Sequence, residues 1–146
     1  MEDKGRVKEC KICKEVKSIT SFYLAYKLEG KRPCYSSYCK TCSKKHGIEN
    51  GKKGRLKVLQ HYSNSVNPFC ACCGEDEIVF LVVDHLKGGG LKDRMARGGN
   101  GSAFYYNLIR HDFPSGYRIL CHNCNHGVRL GKCPHQLKES VKRSFI

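Results

Sequence analysis

The sequence predicts a small α+β protein held together by metal more than by a large apolar core. The chain of 146 residues carries 11 cysteines, about 8% of its length, a density that indicates either a disulfide or a metal scaffold. Eight of them fall into four Cys-x2-Cys pairs. The chain opens Met1-Glu2-Asp3-Lys4-Gly5-Arg6 with no apolar leader, so a reducing cytoplasm is expected, where such pairs hold zinc instead of forming bridges. No apolar run approaches the ~20 residues needed to cross a bilayer, so a soluble protein with no membrane partner is expected.

Residues 1–45 read as a zinc-ribbon or treble-clef-like finger. Cys10-Lys11-Ile12-Cys13 and Cys39-Lys40-Thr41-Cys42 supply Cys10, Cys13, Cys39 and Cys42 as the four thiolates of one structural zinc. Val16, Phe22, Tyr23 and Tyr26 are expected to pack around the ion. Too few apolar residues lie here to fold without it, so folding and zinc binding should be one event. Cys34 stands outside the pairs and reads as an inert thiol. The block suits either a basic DNA-contacting finger or a pure stability module.

Residues 46–65 read as a basic connector. The run from Lys44 to Lys57 is polar and glycine-spaced, and Lys44, Lys45, Lys52, Lys53 and Arg55 are placed to lie along phosphates. Three glycines, Gly47, Gly51 and Gly54, argue against one rigid helix. Leu56, Leu59 and Tyr62 recur at helical spacing and predict a short helix packing into the second domain.

Residues 66–146 form that second domain. Cys70-Ala71-Cys72-Cys73-Gly74 is a knuckle, Glu75-Asp76-Glu77 a turn, and Ile78 to His85 a strand rich in β-branched and aliphatic residues. Lys87 to Gly101 is a glycine-rich basic loop carrying Lys92, Arg94 and Arg97, flexible enough to follow DNA. It lacks the Gly-Lys-Ser/Thr of a phosphate-binding P-loop. Phe104 to Arg110 reads as a helix, Asp112 to Gly116 as its exit turn and Tyr117 to Leu120 as a strand. Cys121-His122-Asn123-Cys124 is the second knuckle, and Asn125 starts the last helix. Cys70, Cys73, Cys121 and Cys124 complete a four-thiolate zinc site with no open position, hence structural. Cys72 reads as a bystander, and Cys133 with His135 as two candidate ligands short of a site. Arg118 can clamp a phosphate or pair with an acidic core residue.

The combination of Cys-x2-Cys, Val83-Asp84-His85 and Tyr117-Arg118-Ile119-Leu120-Cys121-His122-Asn123-Cys124-Asn125 resembles the HNH, or ββα-metal, nucleases, especially the zinc-bound branch containing phage recombination endonuclease VII. The resemblance covers roughly residues 66 to 135. It implies a ββα-metal domain in which Asp84 and Asn125 hold a catalytic Mg2+ or Mn2+ and His85 activates water. That fits the chemistry, because a hard cation takes oxygen ligands and keeps several waters, and imidazole suits a base at neutral pH. Asp84 and His85 are adjacent, so on a strand they point to opposite faces; a bulge or irregular turn must bring both to one place. Asn125 can also cap the helix.

Lys and Arg outnumber Asp and Glu 27 to 13, giving a formal charge of +14. Zinc-bound thiolates lower this to about +10, still suited to a phosphate backbone. The reading is a metal-dependent DNA endonuclease, phage-encoded or a mobile-element homing enzyme acting in the bacterial host cytoplasm, with two structural zinc ions. Its partners are double-stranded or branched DNA and, for cutting both strands, a second copy of the chain as a homodimer. The alternative is a non-catalytic zinc-finger protein binding DNA or RNA. A zinc deaminase is a poor third reading, because His-x-Glu before Pro-Cys-x-x-Cys is missing.

Overall fold

A computed structural model describes residues 5–90, 93, 101–131, 133 and 135. The chain divides into two compact units, Met1–Asn50 and Gly51–Ile146. The described residues form three helices and three two-stranded antiparallel sheets, a small α+β architecture. No helix among them is long and apolar enough to cross a membrane.

In the first unit β1 (Val7–Glu9) pairs with β2 (Val16–Ser18), and β3 (Phe22–Tyr26) with β4 (Cys34–Cys39). Helix α1 (Lys40–Ser63) begins directly after β4 and passes through the division into the second unit. The core is minimal: Cys10, Phe22 and Cys39 are buried, with Cys13, Tyr35, Tyr38 and Cys42 packed against them. Of the four apolar residues expected around the ion, only Phe22 is buried; Val16, Tyr23 and Tyr26 are exposed. Register explains this. Phe22 sits opposite Cys39 beside the cysteines, whereas Tyr26 sits opposite Cys34, ~13 Å further along the strand.

In the second unit β5 (Leu81–His85) pairs with β6 (Tyr117–Cys121) from Leu81 opposite Cys121 to His85 opposite Tyr117, with α3 (His122–Arg129) following at once. Helix α2 (Ser102–Arg110) lies in the long connection between the strands. Ile78–Phe80, expected as strand, is instead a single 3-10 turn. Leu59, Leu81, Ile119 and Leu120 pack with Cys70, Cys121 and Cys124 into one core cluster, and Val58, Leu108 and Tyr117 into another.

The two units repeat one backbone frame. Cys10 N donates to Glu15 O at 3.0 Å and Lys14 N to Cys10 O at 2.8 Å; Cys70 N donates to Glu75 O at 2.7 Å and Gly74 N to Cys70 O at 3.0 Å. Each knuckle is then tied to the strand that carries the next cysteine, by Lys11 N to Ser37 O at 3.1 Å and by Ala71 N to Ile119 O at 2.9 Å. The fifth knuckle residue is left-handed in both, φ 60° at Lys14 and 80° at Gly74. Glycine takes that conformation freely, whereas lysine is strained by it.

The expectation of a broken connector fails, since residues 40–63 are one continuous helix. One of its glycines serves contact instead. A Cβ on Gly51 would lie 2.7 Å from Ser102 Oγ, so its bareness leaves room for the start of α2, whereas one on Gly54 would meet Tyr106 and Ile109 at an ordinary 3.9 Å. Arg55 is likewise reassigned. Expected on phosphate, it donates through Nη2 to Ile78 O at 2.7 Å, Leu81 O at 2.9 Å and Val79 O at 3.3 Å, holding the 3-10 turn that leads into β5. A guanidinium committed to three carbonyls is structural.

Two substitutions test this. Lys14→Gly should raise stability by about 1 kcal/mol, since relief of left-handed strain exceeds the added freedom of the unfolded chain; no change in the thermal midpoint of the first unit would refute the strain. Arg55→Ala should cost about 2 kcal/mol in denaturant unfolding of the second unit, and an unchanged midpoint would refute a structural role for the guanidinium.

Candidate metal centres and active-site cavity

Each knuckle pair converges on one point. The sulfurs of Cys10, Cys13, Cys39 and Cys42 lie within 4.8 Å of one another, as do those of Cys70, Cys73, Cys121 and Cys124. Cys73 and Cys121 sulfurs are 3.7 Å apart, close to the ~3.8 Å edge of a tetrahedron with Zn–S bonds of ~2.3 Å. The third and fourth ligands arrive alike in both units: Cys39 and Cys121 end a strand, and Cys42 and Cys124 lie in the first turn of the helix after it.

The local fields favour thiolates unevenly. Burial opposes ionisation of Cys10, but backbone N–H groups of Cys39, Cys13 and Ile12 outweigh it and lower the thiol to about 6. Cys70 comes down to about 7 in the same way, burial being outweighed by the N–H groups of Cys73, Cys121 and Cys72. Their neighbours move the other way. Cys42 is pushed up to about 12 by its thiol contact with Cys39 and then by burial, and Cys124 is raised by burial and then by Cys121. Cys10 and Cys70 are thus favoured as thiolates while Cys42 and Cys124 are opposed, and a divalent cation is what would ionise all four members of a cluster. These groups can hold a metal ion such as zinc.

Asp84, His85 and Asn125 line one cavity of about 680 Å³ in the second unit, together with Phe104, Gly90 and Arg129. Strand pairing stays regular through His85 with no bulge. Asp84 and His85 both line the cavity although regular pairing turns neighbouring side chains to opposite faces of β5. The irregular turn comes after the strand: Gly88 N donates to His85 O at 3.0 Å, and Gly88 and Gly89 have φ of 68° and 84°. A Cβ on Gly90 would stand 3.1 Å from His85 Nδ1, so any larger residue would press on the imidazole.

Asp84 and His85 each have a partner. Arg118 Nε donates to Asp84 Oδ2 at 2.8 Å, the acidic pairing that is one of its two expected roles. His85 Nε2 lies 3.1 Å from Asp93 Oδ2, which also accepts from Tyr117 OH at 2.7 Å. The Tyr117 ring is 4.8 Å from the imidazole. Asn125 is not a cap. Helix α3 starts at His122, three residues before the expected Asn125, and its N-cap is Cys121, whose sulfur accepts from Cys124 N.

Asp93, Tyr117 and Arg129 are site residues that sequence reasoning missed. For Arg129 a signal exists, since Asn125 and Arg129 are four apart on one helix and so share a face. Asp93 sits in the glycine-rich loop with no periodicity to mark it. Lys44, Lys45, Lys52 and Lys53 are exposed on α1. Lys92, Arg94 and Arg97 lie outside the described residues. Cys34 hydrogen-bonds Tyr26 and belongs to none of the metal-compatible groups.

No family model, curated protein or solved structure matches this chain.

Metal removal should unfold the first unit before anything else, since its core is largely cysteine. Dialysis against a strong chelator should abolish dispersion of the Phe22 and Tyr35 NMR signals and zinc should restore it; a first unit that keeps its dispersion without metal would contradict this.

Proposed function

We propose that the chain is a metal-dependent DNA endonuclease of the HNH, ββα-metal type, preceded by a treble-clef-like zinc finger. The observation that carries the proposal is the meeting of a carboxylate, an imidazole and an amide, Asp84, His85 and Asn125, in one cavity lined from β5 and α3, the helix carrying Cys124 of a four-cysteine cluster. A module that only binds has no need for that convergence. It is the donor set for cutting a phosphodiester with one hard cation: Asp84 and Asn125 supply two oxygen ligands, and bound Mg2+ or Mn2+ would neutralise charge on the phosphate and the leaving 3′ oxygen.

His85 takes the proton. With Nε2–H donating to Asp93, which is held in turn by Tyr117, Nδ1 is the basic nitrogen. A water that gives its proton to Nδ1 attacks phosphorus, the P–O3′ bond breaks, and the 3′ oxygen leaves with the electron pair. Arg118 holds the Asp84 carboxylate in place, and Arg129 adds positive charge where a phosphate would enter. Lys44, Lys45, Lys52 and Lys53 suit sequence-independent contact with the backbone of duplex or branched DNA.

Cleavage of supercoiled plasmid tests the reading. Zinc-loaded wild type should nick or linearise it only when Mg2+ or Mn2+ is added, and His85→Ala should be slower by at least about 100-fold while still binding DNA with a steep salt dependence. Equal cleavage by the variant would remove His85 as base. Salt-dependent binding of DNA or RNA without cleavage by wild type would favour the non-catalytic zinc-finger reading.

A further inference from the structure

A third group of metal-ligating atoms lies against the second zinc-compatible cluster. The donor atoms of Cys72, Cys124, Cys133 and His135 all fall within 4.8 Å of one another. Cys72 and Cys133 sulfurs are 3.3 Å apart, Cys124 Sγ is 3.0 Å from His135 Nδ1, and Cys133 Sγ is 3.9 Å from the same nitrogen. A tetrahedral zinc with Zn–S of ~2.3 Å and Zn–N of ~2.05 Å would set S–S edges of ~3.8 Å and S–N edges of ~3.6 Å. The two sulfur–nitrogen separations bracket the second of these, and the sulfur pair lies just inside the first. Cys133 and Cys124 are buried, at 2% and 0% exposure, so their sulfurs face this point and not solvent.

We propose that Cys72, Cys124, Cys133 and His135 bind a zinc ion of their own, and that the Cys124 thiolate bridges it to the ion held by Cys70, Cys73, Cys121 and Cys124. Cys124 is the one residue common to both groups, and a thiolate has lone pairs enough for two cations. Two separate tetrahedral sites would require eight ligands; sharing one sulfur reduces that to the seven residues present. Cys72 explains the odd knuckle. It lies between two ligands of the first ion, yet its sulfur turns to Cys133. If only the first ion bound, Cys72, Cys133 and His135 would remain crowded around an empty centre. With both, the segment after α3 is pinned to the first knuckle. The inference does not depend on the nuclease reading.

The test is a metal count on the full chain, purified under reducing conditions and loaded with zinc alone. One ion per group predicts three per chain. Cys72→Ser with His135→Ala should lose one ion, and Cys34→Ser, outside all three groups, should lose none. In the cadmium-loaded wild type, NMR should show two of the three metal resonances coupled to each other through the shared sulfur. Two ions in wild type, a count unmoved by the Cys72/His135 pair of substitutions, three uncoupled cadmium resonances, or a Cys72–Cys133 disulfide in the reduced protein would each overturn the proposal. The wild-type count and the coupling need no variant to fold, and neither reads nuclease activity.

Discussion

Four sulfurs held within 4.8 Å of one another are an electrostatic conflict that a cation resolves, and both units are arranged around that conflict. Apolar packing supplies little in the first unit, where Phe22 is the only large side chain buried against the cysteines. What holds the geometry ready is backbone. The knuckle closes on itself, hydrogen-bonds the strand that delivers the third cysteine, and directs N–H groups at sulfur, from Cys39 to Cys10 at 3.3 Å and from Cys72 to Cys70 at 3.4 Å. Those donors favour one thiolate in each cluster before any metal arrives. A preset anion-rich pocket and a divalent ion then complete each other.

Because that frame recurs from Cys10 and from Cys70, the two units solve the same problem at different scales. In the first, the strand pair β3 and β4 is joined by a short connection and leads straight to the helix. In the second, the connection between β5 and β6 is long enough to hold α2 and the glycine-rich loop. That extra length changes what the frame can carry. Helix α2 brings Phe104 and the loop brings Gly90 and Asp93 to the end of β5, building a cavity of about 680 Å³, whereas the matching end of β3 and β4 in the first unit borders a smaller hollow of about 400 Å³ lined by Tyr26, Arg32 and Cys34. The cysteine cluster fixes the strands and helix, and the insertion furnishes the site.

The metal-compatible clusters are legible because Cys-x2-Cys spacing is a local geometric rule. So is the strand pair of the second unit, from its β-branched run and its position between the knuckles. The glycines of α1 mislead for an instructive reason: a glycine weakens a helix by about 1 kcal/mol relative to alanine, but at Gly51 the same bareness leaves room for Ser102 of a neighbouring helix, and only the fold tells the two uses apart. Arg55 reads as one more cation in a basic run until three carbonyls of a distant turn meet it. Cys72 reads as a bystander because spacing assigns each cysteine to one ion and cannot express a shared ligand. Asp93 has no pattern at all; it matters through a hydrogen bond to a strand end formed elsewhere.

The charge balance of the cavity bears on how the proposed chemistry would proceed. Two carboxylates, Asp84 and Asp93, face Arg118 and His85 in pairs, with only 14% and 18% of the carboxylate side chains exposed. An ion pair so placed gains from weak screening but must offset desolvation of both partners, so Arg118 stabilises Asp84 most while nothing else neutralises it. A divalent cation at Asp84 would share that carboxylate with Arg118, spreading one negative charge over more positive charge than it can balance. The surplus is what a phosphodiester would satisfy. On the proposed reading a hard cation would be held weakly without DNA and tightly once a phosphate joined Asp84 and Asn125, so that ion and substrate would assemble together beside the imidazole.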